Sequence, residues 1–387
     1  MHSFYHFNSQ RLIKCINCAA CALFAPSLFS RISQGDFHKV HRQPETSEEE
    51  DIVQARAALV ACPVAAIRTE TNAQKNHRGD PDRYTSEQEE MASQLAINPK
   101  FNGRAHPFPS RVSDTIEDVY FVGHHSEHTF GAIPYLLRTE HHGWILIDTP
   151  QCSKSAIRVV ESLTGPSGPS FMLLTHVDDT YGHNQWKEQF PAMKRIFHSG
   201  DLGQNNWRGD ETLEHVEILL VDAVSTNELL MFYGLNGSFL SNIEDEEVVL
   251  IHTPGHSPGS LCLWKRPCPD KTDSKVKAGG VLFTGDSLAY TTKDGGRMTF
   301  FPRYGDDRML QSHILVQLAE LDWDLVAPGH GHIREYPSSD RLQQSSRESR
   351  LADMQPAIDE LRNNSIILSG LEWAIVERSQ SGLDHLL

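Results

Sequence analysis

Between residues 171 and 332, three short apolar runs each end in a turn rich in histidine or aspartate, FMLLTHVDD, VVLIHTPGHSPGS and GVLFTGDS, and a further histidine motif, APGHGH, follows them. Runs of this length, rich in Val, Leu and Ile and bounded by Gly and Pro, read as buried strands. The polar residues capable of chemistry therefore all fall at strand ends. VYFVGHH, AIPYLL, WILIDTP and SLCLW are further strands, while SKSAIRVVESL and QSHILVQLAELDW read as helices between them. Alternation of this kind predicts an α/β fold.

A second pattern precedes the first. CINCAAC places Cys15, Cys18 and Cys21 in one short loop, and Cys62 follows far along the chain, directly before Pro63. Three thiolates at this spacing can wrap one corner of a cubane, and a fourth before Pro can close it. The run IVQARAALVACPVAAI has apolar residues at helical spacing and would carry Cys62 back to the loop. Structural zinc and buried thiols without metal are the alternatives, though zinc sites more often pair two Cys-x-x-Cys knuckles. The other cysteines, Cys152, Cys262 and Cys268, stand singly, and Cys262 in SLCLW reads as a core residue.

Seven cysteines, four of them with a metal assignment, argue against a disulfide framework and for a reducing compartment. Charge excludes other classes. With 35 basic against 51 acidic residues and a net charge of -16, binding to nucleic acid or to an anionic membrane is disfavoured. No apolar run approaches membrane-spanning length. The stretch before Cys15 is too short for a secretory signal or transit peptide, so cytoplasm or plastid is expected for a soluble chain.

Composition divides the chain into residues 1–68, a polar and breaker-rich linker over 69–112, a strand-rich region over 113–336 and an extension over 337–387. Residues 265–280 read as a solvated hairpin loop. In the extension one or two amphipathic helices are expected, with LADMQPAIDEL broken at Pro356.

The cysteine segment resembles bacterial-type ferredoxins that hold a single 4Fe-4S cluster, including the APSLF after the third cysteine. From about 118 to 334 the chain resembles the metallo-β-lactamase superfamily. The resemblance implies a small ferredoxin-like α+β domain followed by an αββα sandwich with one or two divalent metal ions, zinc, iron or manganese, at one edge. Carried over residue by residue, Asp148 in ILIDTP supports the metal loops, His256 in GHSPGS and Asp286 in FTGDS are ligands, and His330 in PGHGH is the last. The first metal motif departs from the family's His-x-His-x-Asp-His. His176 matches its opening, but the second histidine position holds Asp178, and Thr180 and Tyr181 stand where Asp and His are usual. His183 matches the last histidine only with two extra residues, which puts Gly182 where Asp is expected. The whole resembles a subgroup known from plants and algae, with a ferredoxin-like segment before a Thr-His-x-Asp-Asp loop, from which Gly182 departs.

The expected metal set is His176, Asp178, His183, His256, Asp286 and His330. A carboxylate in place of an imidazole makes the site harder and favours iron or manganese. Asp178 and Asp179 also read as helix caps or as catalytic general bases. On a helix starting after the strand, Asp179 and His183 would share a face. His124, His125, His252 and His332 read as packing or surface residues, and His141 and His142 as a hairpin turn.

Three functions follow. The first is a metallohydrolase acting on an ester, thioester or phosphoester, its water activated by the metal. The second is an iron-dependent oxidoreductase fed by the cluster, similar to flavodiiron proteins but without a flavin module. The third is a non-catalytic iron–sulfur sensor. A small-molecule substrate and a redox partner protein are the expected partners.

Overall fold

The computed structural model describes residues 4–5, 15–31, 37–45, 47–69, 100–101, 104–105, 107–206, 208–222, 229–267, 280–292, 295–301, 305–336 and 345–368. Most of the expected linker, most of the 265–280 loop and the chain beyond 368 lie outside the described residues. The chain forms two compact units, one of Met1–Val112, Asp118–Met172 and Asp179–Met193, the other of Ser113–Glu117, Leu173–Asp178 and Lys194–Leu387. Both mix helices and sheets, so the class is α/β as expected.

In the first unit the cysteine loop runs into the helix Ala20–Phe24, then an antiparallel pair, Phe29–Arg31 with His38–Val40, and the helix Glu49–Ala61. Glu49, Glu50 and Asp51 occupy that helix's first turn, where its dipole favours negative charge, and Arg42 grips both Asp51 oxygens at 2.6 and 2.8 Å. The helix stops because Pro63 drives Cys62 out of the helical region, to ψ 109°. The same unit carries the antiparallel strands Ser110–Arg111, Val119–Phe121, Tyr135–Arg138 and Trp144–Ile147. His141 and His142 lie in the bend joining the last two, closed by Thr139 and Gly143. The helix Lys154–Thr164 is capped by Ser153, which accepts from the Ala156 amide, and buries Ala156, Val159 and Val160.

The second unit is built on a six-stranded sheet in the order Met231–Tyr233, Val248–His252, Leu261–Lys265, Val281–Gly285, Leu325–Pro328 and Arg334–Glu335. One step is parallel, Val281–Gly285 against Leu325–Pro328, and parallel neighbours need a crossover, here through the helix Arg308–Leu318. Being parallel, these two strands end on the same edge. The Gly329 amide donates to the Gly285 carbonyl at 2.8 Å, so Asp286 and His330 leave the sheet side by side. Ile314, Leu315 and Leu318 pack with Val249, Ile251, Leu282 and Val326, each fully buried side chain contributing about 1.5–3 kcal/mol.

One expectation fails in the extension. Ser345–Leu368 is a single helix running through Pro356. Met354, Ala357, Ile358 and Leu361 join the same core as Ile314 and Leu318, and Arg350 donates to the carbonyls of Ala319 and Trp323. Burial on both sides of the proline outweighs the roughly 3 kcal/mol an interior proline costs. Among the described residues no helix is long and apolar enough to cross a membrane.

Candidate metal centre and cluster site

In the second unit five predicted residues come together. His176 and Asp178 follow the strand ending at Leu173, His256 lies in the turn after Val248–His252, and Asp286 and His330 follow the parallel pair. Gly285 has φ +47°, and a Cβ on it would stand 2.6 Å from Thr175 Oγ1. Only glycine admits this approach, which sets Asp286 against His176.

The donor atoms converge. His176 Nε2 lies 3.8 Å from Asp178 Oδ2 and 3.8 Å from Asp286 Oδ2, while His256 Nε2 lies 4.0 and 3.7 Å from the same two oxygens. These spans exceed a hydrogen bond. Two ligands each about 2 Å from a shared tetrahedral ion stand about 3.3–3.6 Å apart, so each of these histidine–aspartate spans is a modest contraction from that of a ligand pair on one metal. Protons do not serve instead: burial holds the His176 imidazole down to about 4, against the pull of Asp286 and Asp178, so it is neutral at ordinary pH. Two carboxylates and two imidazoles, that of His176 neutral, make a donor set that suits a divalent cation.

His330 plays a different part. Its Nδ1 donates to Asp286 Oδ1 at 2.8 Å, fixing the carboxylate's orientation and leaving Nε2 as its remaining ring nitrogen. Burial pushes the Asp286 carboxyl up, but the imidazoles around it, His330 first, outweigh that and hold it below the usual carboxylate range. The Phe301 ring stands edge-on to both His256 and His330, with centroids at 6.0 and 5.8 Å.

Asp201 carries no motif, yet it ties the site together. Buried in the turn after the strand Lys194–His198, it accepts from the Val177 amide at 3.0 Å, Ser257 Oγ at 2.8 Å and the Gly259 amide at 2.6 Å. One carboxylate thus joins the turn bearing His176 and Asp178 to the turn bearing His256. A Cβ on Gly259 would meet the Asp201 backbone at 2.6 Å, which explains the glycine in GHSPGS. Burial pushes the Asp201 carboxyl up despite these donors. Arg208 donates to the Asp178 carbonyl from the other side. His252 is structural: its Nε2 donates to the Pro258 carbonyl at 2.8 Å.

Asp179 and His183 belong to the first unit. They do not share a helix face: Asp179 ends a single 3-10 turn, Val177–Asp179, and His183 opens a separate helix, His183–Gln189, with Gly182 at φ 90° between them. Gly182 is the N-cap of the second helix, three residues after the 3-10 turn has ended, and has no side chain to cap it. Asp148 is buried with φ +56° in the same unit.

Cys15, Cys18, Cys21 and Cys62, all in the first unit, also come together. Burial drives the Cys18 thiol up to about 12, with Cys62 and Cys15 raising it further, and Cys21 is raised by burial and by Cys62, Cys18 and Cys15. Burial raises Cys62 too, and the Ala66 amide donates to its sulfur at 3.3 Å. Thiols close enough to destabilise one another's anions, with an amide aimed at a sulfur, suit a cluster that takes them all as thiolates.

Residues 12–69 match the 4Fe-4S single cluster domain of Ferredoxin I, and all four cysteines fall inside the match. No curated protein matches the chain. Similar solved structures include a metallo-β-lactamase superfamily protein from Sulfolobus tokodaii, 19% identical over 58% of this chain and 80% of that one, with a TM-score of 0.33. They include the metallo-β-lactamase GOB-18 from Elizabethkingia meningoseptica, 16% identical over 66% and 93%, at 0.36. The diiron chemotaxis sensor ODP is 16% identical over 61% of this chain and 90% of its own, at 0.38.

Proposed function

We propose that this chain is a metal-dependent hydrolase of the metallo-β-lactamase fold, acting on an ester, thioester or phosphoester, with a 4Fe-4S cluster in its N-terminal segment for electron transfer or sensing. The observation that carries it is that His176 Nε2 and His256 Nε2 each lie within about 4 Å of both Asp178 Oδ2 and Asp286 Oδ2. A divalent ion held there would lower the pKa of water and polarise a carbonyl or phosphoryl oxygen.

The residues divide the remaining work. His176 offers a neutral nitrogen, and Asp286, pinned by His330, is the central carboxylate. Asp178 is the more accessible carboxylate, with 23% of its side chain exposed against 8% for Asp286. It ligates, or its Oδ2 takes the proton from the attacking water as general base. Phe301 packs its ring edge-on against His256 and His330. His183, Asp179 and His330 remain the candidates for a second ion, a small molecule is the substrate, and a redox protein is the partner of the cluster.

A second reading, an iron-dependent oxidoreductase fed by the cluster, is favoured by the Asp178 carboxylate among the donors, since oxygen ligands suit iron. Anaerobically purified protein assayed on an ester, thioester and phosphodiester panel, and for oxygen and nitric oxide consumption with the cluster reduced, separates the two. Hydrolysis that is insensitive to cluster redox state is expected. Rapid cluster-dependent oxygen consumption without hydrolysis would reverse the order.

A further inference from the structure

We propose that the turn Ser126–Gly131 is a wall of the cluster site, and that cluster occupancy orders the segment Asp179–Trp186, which carries Asp179 and His183. The proposal rests on the cluster reading of the four cysteines, not on which reaction the metal centre performs.

Contact with the cysteines is direct. A Cβ on Gly131, which has φ +84°, would stand 2.6 Å from Cys18 Cβ, 3.0 Å from Cys18 Sγ and 3.4 Å from Pro63 Cγ. The backbone at 131 is therefore pressed against both the cysteine loop and the Cys-Pro corner. Its position is fixed from behind, because the Gly131 amide donates to the Ser126 carbonyl at 2.8 Å and His125 Nδ1 donates to the Gly131 carbonyl at 2.9 Å. Phe24, ending the helix that carries Cys21, places its ring edge-on to His125 at 5.7 Å and to Phe108 and Phe121 at 5.0 Å each. Edge-to-face pairs at these distances are favourable beyond their burial.

From this wall two ties lead to the later segment. In the first, the His124 carbonyl accepts from the Gln151 amide at 2.7 Å, and the residues before Gln151 hold the segment: Thr149 Oγ1 donates to the Asp179 carbonyl at 2.8 Å, and Trp186 Nε1 donates to the Pro150 carbonyl at 2.7 Å. Thr149, Asp179 and Trp186 are fully buried, so opening either bond carries a desolvation penalty. In the second tie, the His128 ring stacks on Tyr181 at 3.9 Å. A group that binds only the closed form of the wall lowers the population of open forms of everything fastened to it, and the coupling is reciprocal.

Hydrogen exchange on the full chain tests this, after iron analysis has shown that the wild type carries its cluster. In Cys18→Ser, which removes the cluster, exchange over 124–131, 148–151 and 179–189 should accelerate at least tenfold, while the helix Lys154–Thr164 in the same unit changes less than twofold. Uniform acceleration across the unit, or acceleration confined to 12–69, would overturn the proposal. Thr149→Val should keep the iron and the reduced-state EPR spectrum yet leave 179–189 fast whether or not the cluster is present, and Thr149→Ser should behave as wild type. A Thr149→Val protein indistinguishable from wild type refutes the tie. In folded Gly131→Ala, at least half the cluster iron should be lost or the EPR spectrum should shift, and full iron with an unchanged spectrum refutes the wall. Wild-type protein that takes up no iron refutes the cluster reading itself, an outcome the iron analysis separates from the others.

Discussion

The cysteine site and the imidazole–carboxylate site are both buried, but burial acts on them with opposite sign. It raises the Cys18 thiol to about 12 and lowers the His176 imidazole to about 4. Those two groups are thereby kept neutral. A neutral imidazole is ready to ligate, whereas a neutral thiol must first lose its proton, so cluster assembly releases protons that metal loading at His176 does not. The metal centre is poised by its fold, and the cluster site is completed by its cluster.

The largest effect should come from removing the central carboxylate. Asp286→Ala takes away the oxygen facing both His176 and His256 and the partner of His330. Divalent metal and at least 99% of hydrolytic activity should be lost, while the cluster iron stays at wild-type level, because none of the four cysteines depends on Asp286. Metal analysis with cluster iron subtracted checks this. Retention of the non-cluster metal would remove Asp286 from the site, and loss of both metals would break the contrast between two separately built centres.

These two sites also differ in how much of them was legible. Cys15, Cys18, Cys21 and Cys62 stand out because three ligands are nearly contiguous and the fourth is marked by its proline. His256, Asp286 and His330 stand out because each sits in a glycine-bounded turn at a strand end, and the strand register carries all three to one edge. Asp201 had no such signal. SGDLGQNN reads as an ordinary loop, and its importance appears only when Ser257, 56 residues away, closes on it. The break at Gly182 was visible as a departure from pattern but not as two separate turns, since helix continuity across one glycine is decided by tertiary packing. Nothing in the cysteine segment itself indicated that Gly131 would lie on Cys18, and the helix through Pro356 defeated a local rule because its burial is long-range.

Asp201 gives the next prediction in size. Asp201→Asn keeps the volume but replaces one acceptor oxygen by an amine, so one of the donors from Val177, Ser257 and Gly259 faces a donor. Because the residue acts on ligand-bearing turns and touches no ligand itself, metal affinity should fall about 10–100-fold with the cluster untouched. Titration with Co2+ measures it, and affinity within a factor of two of wild type would show that the two turns hold their positions without this carboxylate.

The smallest effect sharpens the contrast in sign. His198 is fully buried with its imidazole pushed down to about 3, first by burial and then by the neighbouring His252, whose ring stacks on it at 3.7 Å. Unfolding exposes it to an ordinary pKa near 6.5, so below that pH the unfolded chain binds a proton that the folded chain refuses, and stability falls as pH drops from about 6.5 toward 3. The raised thiols work at the other end: the unfolded chain ionises them above about 9 while the folded, cluster-free chain does not, so their stability is lost as pH rises from there toward 12. His198→Asn keeps an oxygen to accept from the Gly200 amide, which now donates to His198 Nδ1 at 3.1 Å, and removes the titration. At pH 5.5 the titrating histidine costs about 1–2 kcal/mol relative to neutral pH, so the drop in melting temperature between pH 7.5 and 5.5 should shrink by a few degrees in the variant. The alkaline limb should be unchanged, because the cysteines that govern it are intact. Thermal melts of cluster-free protein at pH 5.5, 7.5 and 9.5 read both limbs at once, and a variant that loses as much stability as wild type on acidification would show that the buried imidazole at 198 is not what makes the folded chain sensitive to acid.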